Sequence, residues 1–422
     1  MMMDRMAGRL QALVMTHGWW LVVAYLVLAP FKTLYEGPMA FMAIGGLLLM
    51  LTRPRGMLEV AGVRLLLALG LLIWVPMVLS LPDAVEQGRA ISTTMTFLRY
   101  LFAGVFIALA MSEARSRGRL LMVAGGILAF WAVDATIQVL VGKNLLGNPM
   151  TLGRVTGVYF PRITLGHAIA TFSPILLFWL GRMSATRGAW WMLLSVPLAV
   201  TVFMSGSRVA WGMFAISLLL MAGYWLWIAG RSNVRRLVPM ALVAFLAVGG
   251  FLSTQPSFLL RVNLAAGLVS GDEEKINQAT SLRWDIWKVA GRVFSDHTIN
   301  GIGPRGFRYI YAQYAEPGDS FVNPKTGLGI THPHQLMVEV AVETGVIGLA
   351  GYFAFLFVFL RAVWRAGKER LREAWPWAAA AFISFFPLNA GHAFYGGKWG
   401  CIVWWLTALA AVFLSQPKEA RS

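Results

Sequence analysis

The chain has 422 residues, of which 58% are hydrophobic and only 13% charged, against roughly 25% charged in ordinary soluble domains. That composition excludes a soluble globular enzyme and places the chain among polytopic, all-α membrane proteins. The formal charge of +17 raises nucleic acid as a partner, but the cations sit between apolar runs and form no basic stripe with interleaved aromatics, so none is expected.

The first stretch, "MMMDRMAGRLQALVMTHGWWLVVAYLVLAPF", is basic and then apolar, with no small-residue cleavage site, and reads as a retained first span. Windows of roughly 17 to 25 apolar residues give about twelve candidate spans, roughly at 18–34, 37–52, 62–80, 95–112, 119–141, 163–181, 188–205, 208–229, 236–254, 335–363, 373–389 and 398–415. With the N-terminus inside, the cations at Arg5, Arg53, Arg115, Arg182, Arg235, Arg365, Lys418 and Arg421 all fall on the cytoplasmic side. This is the bias that the positive-inside rule expects, and it puts both termini in the cytoplasm. The pairs Trp19-Trp20, Trp190-Trp191 and Trp404-Trp405 read as interfacial belt residues. Cys401 is the only cysteine, so neither an internal disulfide nor a thiolate metal cluster can form.

The apolar pattern breaks at residues 254–331, which gives three parts: spans one to nine (1–253), an outer loop domain (254–334), and the last three spans with a tail (335–422). Within the loop, "SLRWDIWKVAGRVF" carries Leu282, Ile286, Val289, Ala290 and Val293 at helical spacing, with Ser281 as cap. The turn "NGIGPRG" leads into a second amphipathic helix, "FRYIYAQYA"; both helices could lie on the membrane surface. Several cations stand outside against the topological bias: Lys143, Arg154, Arg162 and Arg208 in short loops, and Arg261, Arg283, Arg305 and others in the large one. Nearby acids leave solvated surface open as a reading for individual loop arginines.

In "FMSGSRVAWG", Arg208 stands at a helix start beside a Ser-Gly-Ser turn. A helix N-terminus favours anions, and a guanidinium supplies a planar fork for phosphate; the alternative is an arginine that snorkels to the interface. Arg283 heads the loop helix with Trp287 four residues on, on the same face, facing either a site at the bilayer surface or a partner such as Asp285. In "THPHQLMVEVAVETGVIG", Pro333 suits a first helical turn, which sets His332 and His334 at a positive helix end that keeps the imidazoles neutral. A neutral imidazole is a competent general base; metal binding and structural hydrogen bonding remain alternatives, although neither a third ligand nor an Asp-x-Asp motif is evident. Glu339 and Glu343 lie one turn apart in the same span, placed to orient the imidazole or pair with an arginine.

Arg208 in its Ser-Gly-Ser-Arg turn, Arg283-x-x-x-Trp287, "GIGPRGF" and "HPHQLMVEVAVETGVIGL" occur in order around one large loop. On these motifs, with "GRVTGVYFPRITLGHAIA" as a second match, the chain resembles the bacterial O-antigen ligase family. The wider superfamily also holds O-antigen polymerases and protein-directed O-oligosaccharyltransferases. The resemblance implies a C-type glycosyltransferase-like fold in the inner membrane. It implies a periplasmic site that moves glycan from undecaprenyl diphosphate to the lipid A core oligosaccharide without a metal ion or other cofactor. It places the essential histidine on His334 and essential arginines on Arg208 and Arg283. Arg154, Arg162, Arg305, Trp287, His332 and Glu339 are the further substrate-contact candidates, and membrane lipids are partners. Family members often have Asn after the histidine where this chain has Gln335.

The chemistry read from the residues agrees with this. A diphosphate leaving group needs a divalent cation or fixed cations, and the outer arginines are fixed cations. No carboxylate pair suggests a glycosyl-enzyme, so single displacement with inversion is expected. A lipid-linked-glycan transporter is the rival class; it predicts ionisable groups at the bilayer midplane rather than at one face.

Overall fold

The computed structural model of the protein describes residues 2–229, 246 and 248–417, and among these it is helical with no strand. Apolar segments become helices because a backbone removed from water must satisfy its own hydrogen bonds. The helices of the first half are α1 (Met2–His17), α2 (Trp19–Leu28), α3 (Glu36–Thr52), α4 (Pro54–Glu59), α5 (Val63–Leu79), α6 (Gln87–Ala110), α7 (Ala114–Val141) and α8 (Leu165–Arg187). Those that follow are α9 (Ser195–Met204), α10 (Arg208–Gly223), α11 (Pro256–Ala266), α12 (Glu273–Ala279), α13 (Arg283–Asp296), α14 (Phe307–Tyr314), α15 (Leu336–Ser384) and α16 (Gly397–Ser415).

Among the described residues, six helical stretches are long and apolar enough to cross a membrane: Gln87–Ala110, Ala114–Val141, Leu165–Arg187, Arg208–Ile228, Leu336–Ser384 and Gly397–Ser415. A seventh is added if α1 and α2, bent by 55° against each other, count as one span. The windows at 37–52, 62–80 and 188–205 hold shorter apolar helices. Most of the window at 236–254, with Arg235, Lys418 and Arg421, lies outside the described residues.

Helix α16 is the buried axis of the bundle, packed against α5, α6 and α15. Trp404 and Trp405 lie in its middle, 2% and 1% exposed, against Phe97, Phe355, Tyr25 and Trp377. This corrects the interfacial reading of that pair, because large aromatics contribute most when fully buried in a packed core. Trp20 and Trp190 remain exposed, as belt residues would be.

The loop helices α13 and α14 do not lay their apolar faces on a membrane surface. Ile286, Val289, Ala290 and Val293 pack against Ile302, Phe307, Ile310 and Tyr311 in a core of their own, closed by Val342 of α15. Two amphipathic faces bury more apolar area against each other than either could alone. This small core docks on α15 at a break in the helix. Gly345 has φ 64° and ψ −162°, a region open in practice only to glycine. A Cβ there would lie 2.0 Å from the Ile299 carbonyl oxygen.

The break frees backbone groups that the "NGIGPRG" turn then satisfies. Ile302 N–H donates to Val342 O and Gly303 N–H to Glu343 O, both at 3.0 Å, while Val346 N–H donates to Thr298 O at 2.8 Å. The turn thus fixes the position of α13 relative to the start of α15, where the histidines lie.

Candidate active site

Four of the six histidines, His167, His332, His334 and His392, converge where the N-terminal ends of α8, α10, α15 and α16 meet α13. The His332 and His334 rings are 3.9 Å apart, and those of His167 and His392 are 4.8 Å apart, edge to face. His392 also stacks on Trp399 at 4.7 Å. His334 adopts a left-handed φ of 56°, uncommon for a residue with a Cβ and held only where the surroundings enforce it. Trp287 Nε1–H donates to Pro333 O at 3.0 Å on one side. On the other, Gln335 accepts from Val338 N–H at 2.6 Å, capping α15, and donates to Pro387 O at 2.8 Å. The amide after the histidine therefore anchors the loop to both helix and turn.

Helix α15 begins at Leu336, so Pro333 and both histidines precede its first turn rather than occupy it. Their neutrality has a different first cause from the helix end. Burial and then the Arg283 cation hold the His334 imidazole down at about 4, opposed by a hydrogen bond to the Gly391 backbone. Burial, His334 and Arg305 hold His332 lower still, and burial, Lys398, His334 and Arg283 bring His392 to about 4. All three are neutral bases near pH 7.

The arginines gather beside this row. Ser207 caps α10, its Oγ accepting from Ala210 N–H at 3.3 Å and lying 3.2 Å from His167 Nε2. Arg208 Nη2 donates to Ser281 Oγ at 2.7 Å and Gln278 O at 3.2 Å, leaving Nη1 without a protein partner. Ser281 is thus a ligand of Arg208 and not the cap of α13; Thr280 Oγ1 accepts from Trp284 N–H instead. Gly206 has φ 64°, and a Cβ there would strike the Arg261 guanidinium, which donates to Gly206 O at 2.8 Å.

Arg154 reaches the group from a loop anchored by two buried polar residues of α7. Asp134 accepts from Asn144 Nδ2 and Leu145 N–H, and Gln138 Oε1 accepts from the N–H of Thr156 and Gly157. Burial and the charges of Arg208 and Arg154 disfavour the cation of Arg283, and burial with Arg154 and Arg208 does the same for Arg261. The described ion pairs involve none of these four arginines; Asp285 pairs with Lys288 at 2.9 Å rather than with Arg283. Four like charges gathered without a carboxylate make a site that an anion would stabilise.

The carboxylates of α15 are committed elsewhere. Glu339, 1% exposed, accepts from Phe394 N–H at 2.9 Å and Tyr395 N–H at 3.2 Å. Glu343, fully buried, accepts from Arg305 N–H at 2.6 Å. Neither is hydrogen-bonded to an imidazole; of the two expectations for Glu339 the arginine is the nearer, since the Arg305 charge acts on both carboxylates, and each secures a backbone turn next to the site. Arg305 acts on His332 and has Nη1 buried without a partner, apart from the Arg208 group. Arg162 lies instead near Lys398. Among the described residues, no three histidine, cysteine or carboxylate side chains gather at metal-binding geometry.

Beside Arg261 an apolar groove of about 650 Å³ opens between α8, α9, α10 and α11, lined by Leu177, Phe203, Phe214, Trp225, Leu252 and Phe258 among others. The sequence reading missed His167, His392 and Lys398 as site residues and saw Arg261 only as an outer cation. The cue for His167 and His392 was available: each adjoins a glycine at the edge of an apolar run, in "LGHAIA" and "NAGHAFYGGKWG".

Apolar helices of crossing length that gather neutral imidazoles and unpaired arginines at one end define the class, a helical membrane protein with an enzyme-like site. Residues 192–353 match the family model described as O-antigen ligase, a family of glycosyltransferase-like ligases and polymerases, and over these residues the resemblance read from the sequence is borne out. The match takes in Arg208, Arg261, Arg283, Trp287, His332 and His334, while Arg154, Arg162, His167, His392 and Lys398 lie outside it. No curated protein matches the chain.

Proposed function

We propose that the protein is an O-antigen ligase that moves glycan from undecaprenyl diphosphate to a hydroxyl of the lipid A core oligosaccharide. The site faces the periplasm, in an inner-membrane bundle of about twelve crossings with both termini cytoplasmic. The observation that carries this reading is the unpaired arginine group beside a neutral, strained His334, inside the family match.

The donor diphosphate lies on Arg208, Arg283, Arg154 and Arg261, whose forks meet phosphate oxygens. Its first isoprenyl units follow the apolar groove that opens beside Arg261. His334 takes the proton of the acceptor hydroxyl as the oxygen attacks the anomeric carbon, and the bond to the phosphate oxygen breaks with inversion. Negative charge grows on the departing undecaprenyl diphosphate, where preorganised cations are most effective. Fixed arginines thereby supply the stabilisation that a metal ion supplies in other glycosyl transfers. Trp287 and Gln335 position the His334 loop, while Glu339 and Glu343 hold the turns around it.

The test is reconstitution with a defined undecaprenyl-diphosphate glycan and three acceptors: lipid A core, a second donor molecule, and an acceptor peptide. Glycosylated lipid A core is the expected product. Extended donor glycan or glycopeptide, with lipid A core untouched, would replace the ligase reading by a polymerase or a protein-directed transferase.

A further inference from the structure

A second cationic group lies beside His392, on which Arg283 also acts. Lys398, on the first turn of α16, holds its Nζ 5.0 Å over the Tyr159 ring and 5.7 Å from the Tyr35 ring. Arg162, whose backbone N–H donates to Tyr159 O at 2.9 Å, acts electrostatically on both Lys398 and Tyr159. Lys398 Nζ, Arg162 Nη1 and the hydroxyl of Tyr159, a side chain 1% exposed, are all buried atoms without a hydrogen-bond partner in the protein. Neither cation is in a described ion pair. Two like charges held partly out of water with no carboxylate between them are stabilised by an anion supplied from outside.

His392 fixes where this group stands. Its ring touches His167 beside Ser207, stacks on Trp399, and feels both Lys398 and Arg283. Lys398 and Arg162 act on each other, and Arg283 feels Arg208 and Arg154, so His392 is the ring within reach of two distinct cationic groups. In an inverting displacement the nucleophile and the leaving group stand on opposite faces of the sugar. If the diphosphate lies on the Arg208 group, the second cationic group is left for the acceptor.

We propose that Lys398, Arg162 and Tyr159 form an acceptor-side site that binds an acidic group, phosphate or carboxylate, on the sugars next to the accepting hydroxyl. This rests on the ligase reading above. The anion selects acidic acceptor saccharides and presents the hydroxyl to the imidazoles. The donor diphosphate does not use the site.

The test measures transfer to lipid A core in three forms, untreated, stripped of its core phosphates, and carboxyl-reduced, in nanodiscs of zwitterionic lipid. For the unaltered protein, one treatment should raise acceptor KM about tenfold, the loss expected for a charge-assisted hydrogen bond. Lys398→Gln and Arg162→Gln should raise KM for the untreated acceptor by a similar factor, add nothing for the treated one, and leave binding of undecaprenyl diphosphate unchanged. Lys398→Arg should restore the preference. Retained donor binding shows that each variant is folded, so a variant that keeps the full preference among acceptors overturns the proposal. So does a loss that falls on donor binding, which would join the cluster to the diphosphate site. Restoration of Lys398→Gln by adding phosphatidylglycerol, or dependence on Lys398 only when that lipid is present, would assign the site to a lipid headgroup and also overturn it. If the unaltered protein transfers to none of the three forms, the ligase reading itself fails, and this proposal with it.

Discussion

The arginines and the carboxylates at the histidine end of the bundle are treated in opposite ways. Arg208 keeps a buried Nη1 without a protein partner, and it stands with Arg154, Arg261 and Arg283 outside any described ion pair. Glu339 and Glu343, within the first turns of α15, are fully buried and accept from the backbone N–H groups of Phe394, Tyr395 and Arg305. The difference separates the two jobs of charge in one site. On the proposed reading the unpaired cations hold an anionic ligand, whereas both oxygens of Glu339 and one of Glu343 are taken by backbone turns, Glu343 Oε1 keeping no hydrogen-bond partner. On that reading the base is an imidazole, and the role is assigned to His334, whose left-handed backbone is held by its surroundings.

The largest effect should follow removal of that base. His334→Asn, a residue that tolerates the left-handed backbone, should lower transfer on the order of 10²- to 10⁴-fold, the usual contribution of a general base, with insertion intact. His332→Ala, assayed in the same membranes, should be milder; the reverse order would move the base to His332.

Next come the arginines. Arg208→Lys and Arg283→Lys keep the charge but lose the planar fork, and each should lower transfer on the order of 10²-fold, measured on protein shown to be folded. Arg154→Lys should do less, because Arg154 comes from a loop outside the matched residues 192–353. Equal activity in all three would return these arginines to a role as lipid-facing charges.

The pH profile sharpens the contrast between imidazole and carboxylate. His334 must be neutral to act, and its pKa is lowered to about 4, so kcat/KM should stay level as pH falls through 6.5 and drop only near that lower value. Bound diphosphate adds negative charge beside the ring, so the acid limb of kcat should lie at higher pH than that of kcat/KM. His332, His334 and His392 are all depressed, so the fold loses stability as pH falls below about 6.5. Melting curves at each pH keep the two effects apart. An acid limb of kcat/KM at or above 6.5 in folded protein would contradict the assignment.

Smaller changes are expected from the carboxylates and from chelation. Glu339→Gln sets an amide N–H against one of two backbone donors, destabilising by about 1–3 kcal/mol. The melting temperature should fall, while the shape of the pH profile stays as it was. A lost pH limb instead would make Glu339 part of the chemistry. EDTA should leave turnover unchanged, and strict dependence on added Mg²⁺ would show that the arginines do not suffice.

The helical membrane character and the residues at the junctions of apolar runs were legible in the sequence. Arg208 and His334 stand where a polar turn meets an apolar helix and Arg283 where one meets an amphipathic helix, and the structure brings their segments together. Groups that meet only through packing were not legible. His167, His392, Arg261 and Lys398 come from α8, the turn before α16, α11 and α16 itself, and no spacing links them. The partners of Glu339 are backbone N–H groups 55 and 56 residues away, which have no side-chain signature. Ser281 looked like a cap because its type and place fit, yet its hydroxyl serves Arg208. Trp404-Trp405 looked interfacial by composition and proved to be core, because burial is decided by neighbours such as Tyr25 and Trp377.

The division between free cations and a neutral base is tested most directly by binding of undecaprenyl diphosphate, measured beside turnover for His334→Asn and for Arg283→Lys in the same nanodiscs. The account predicts that His334→Asn binds the diphosphate as tightly as the unaltered protein while its transfer falls on the order of 10²- to 10⁴-fold, and that Arg283→Lys loses binding and transfer together. Full binding by Arg283→Lys, or lost binding by folded His334→Asn, would contradict it.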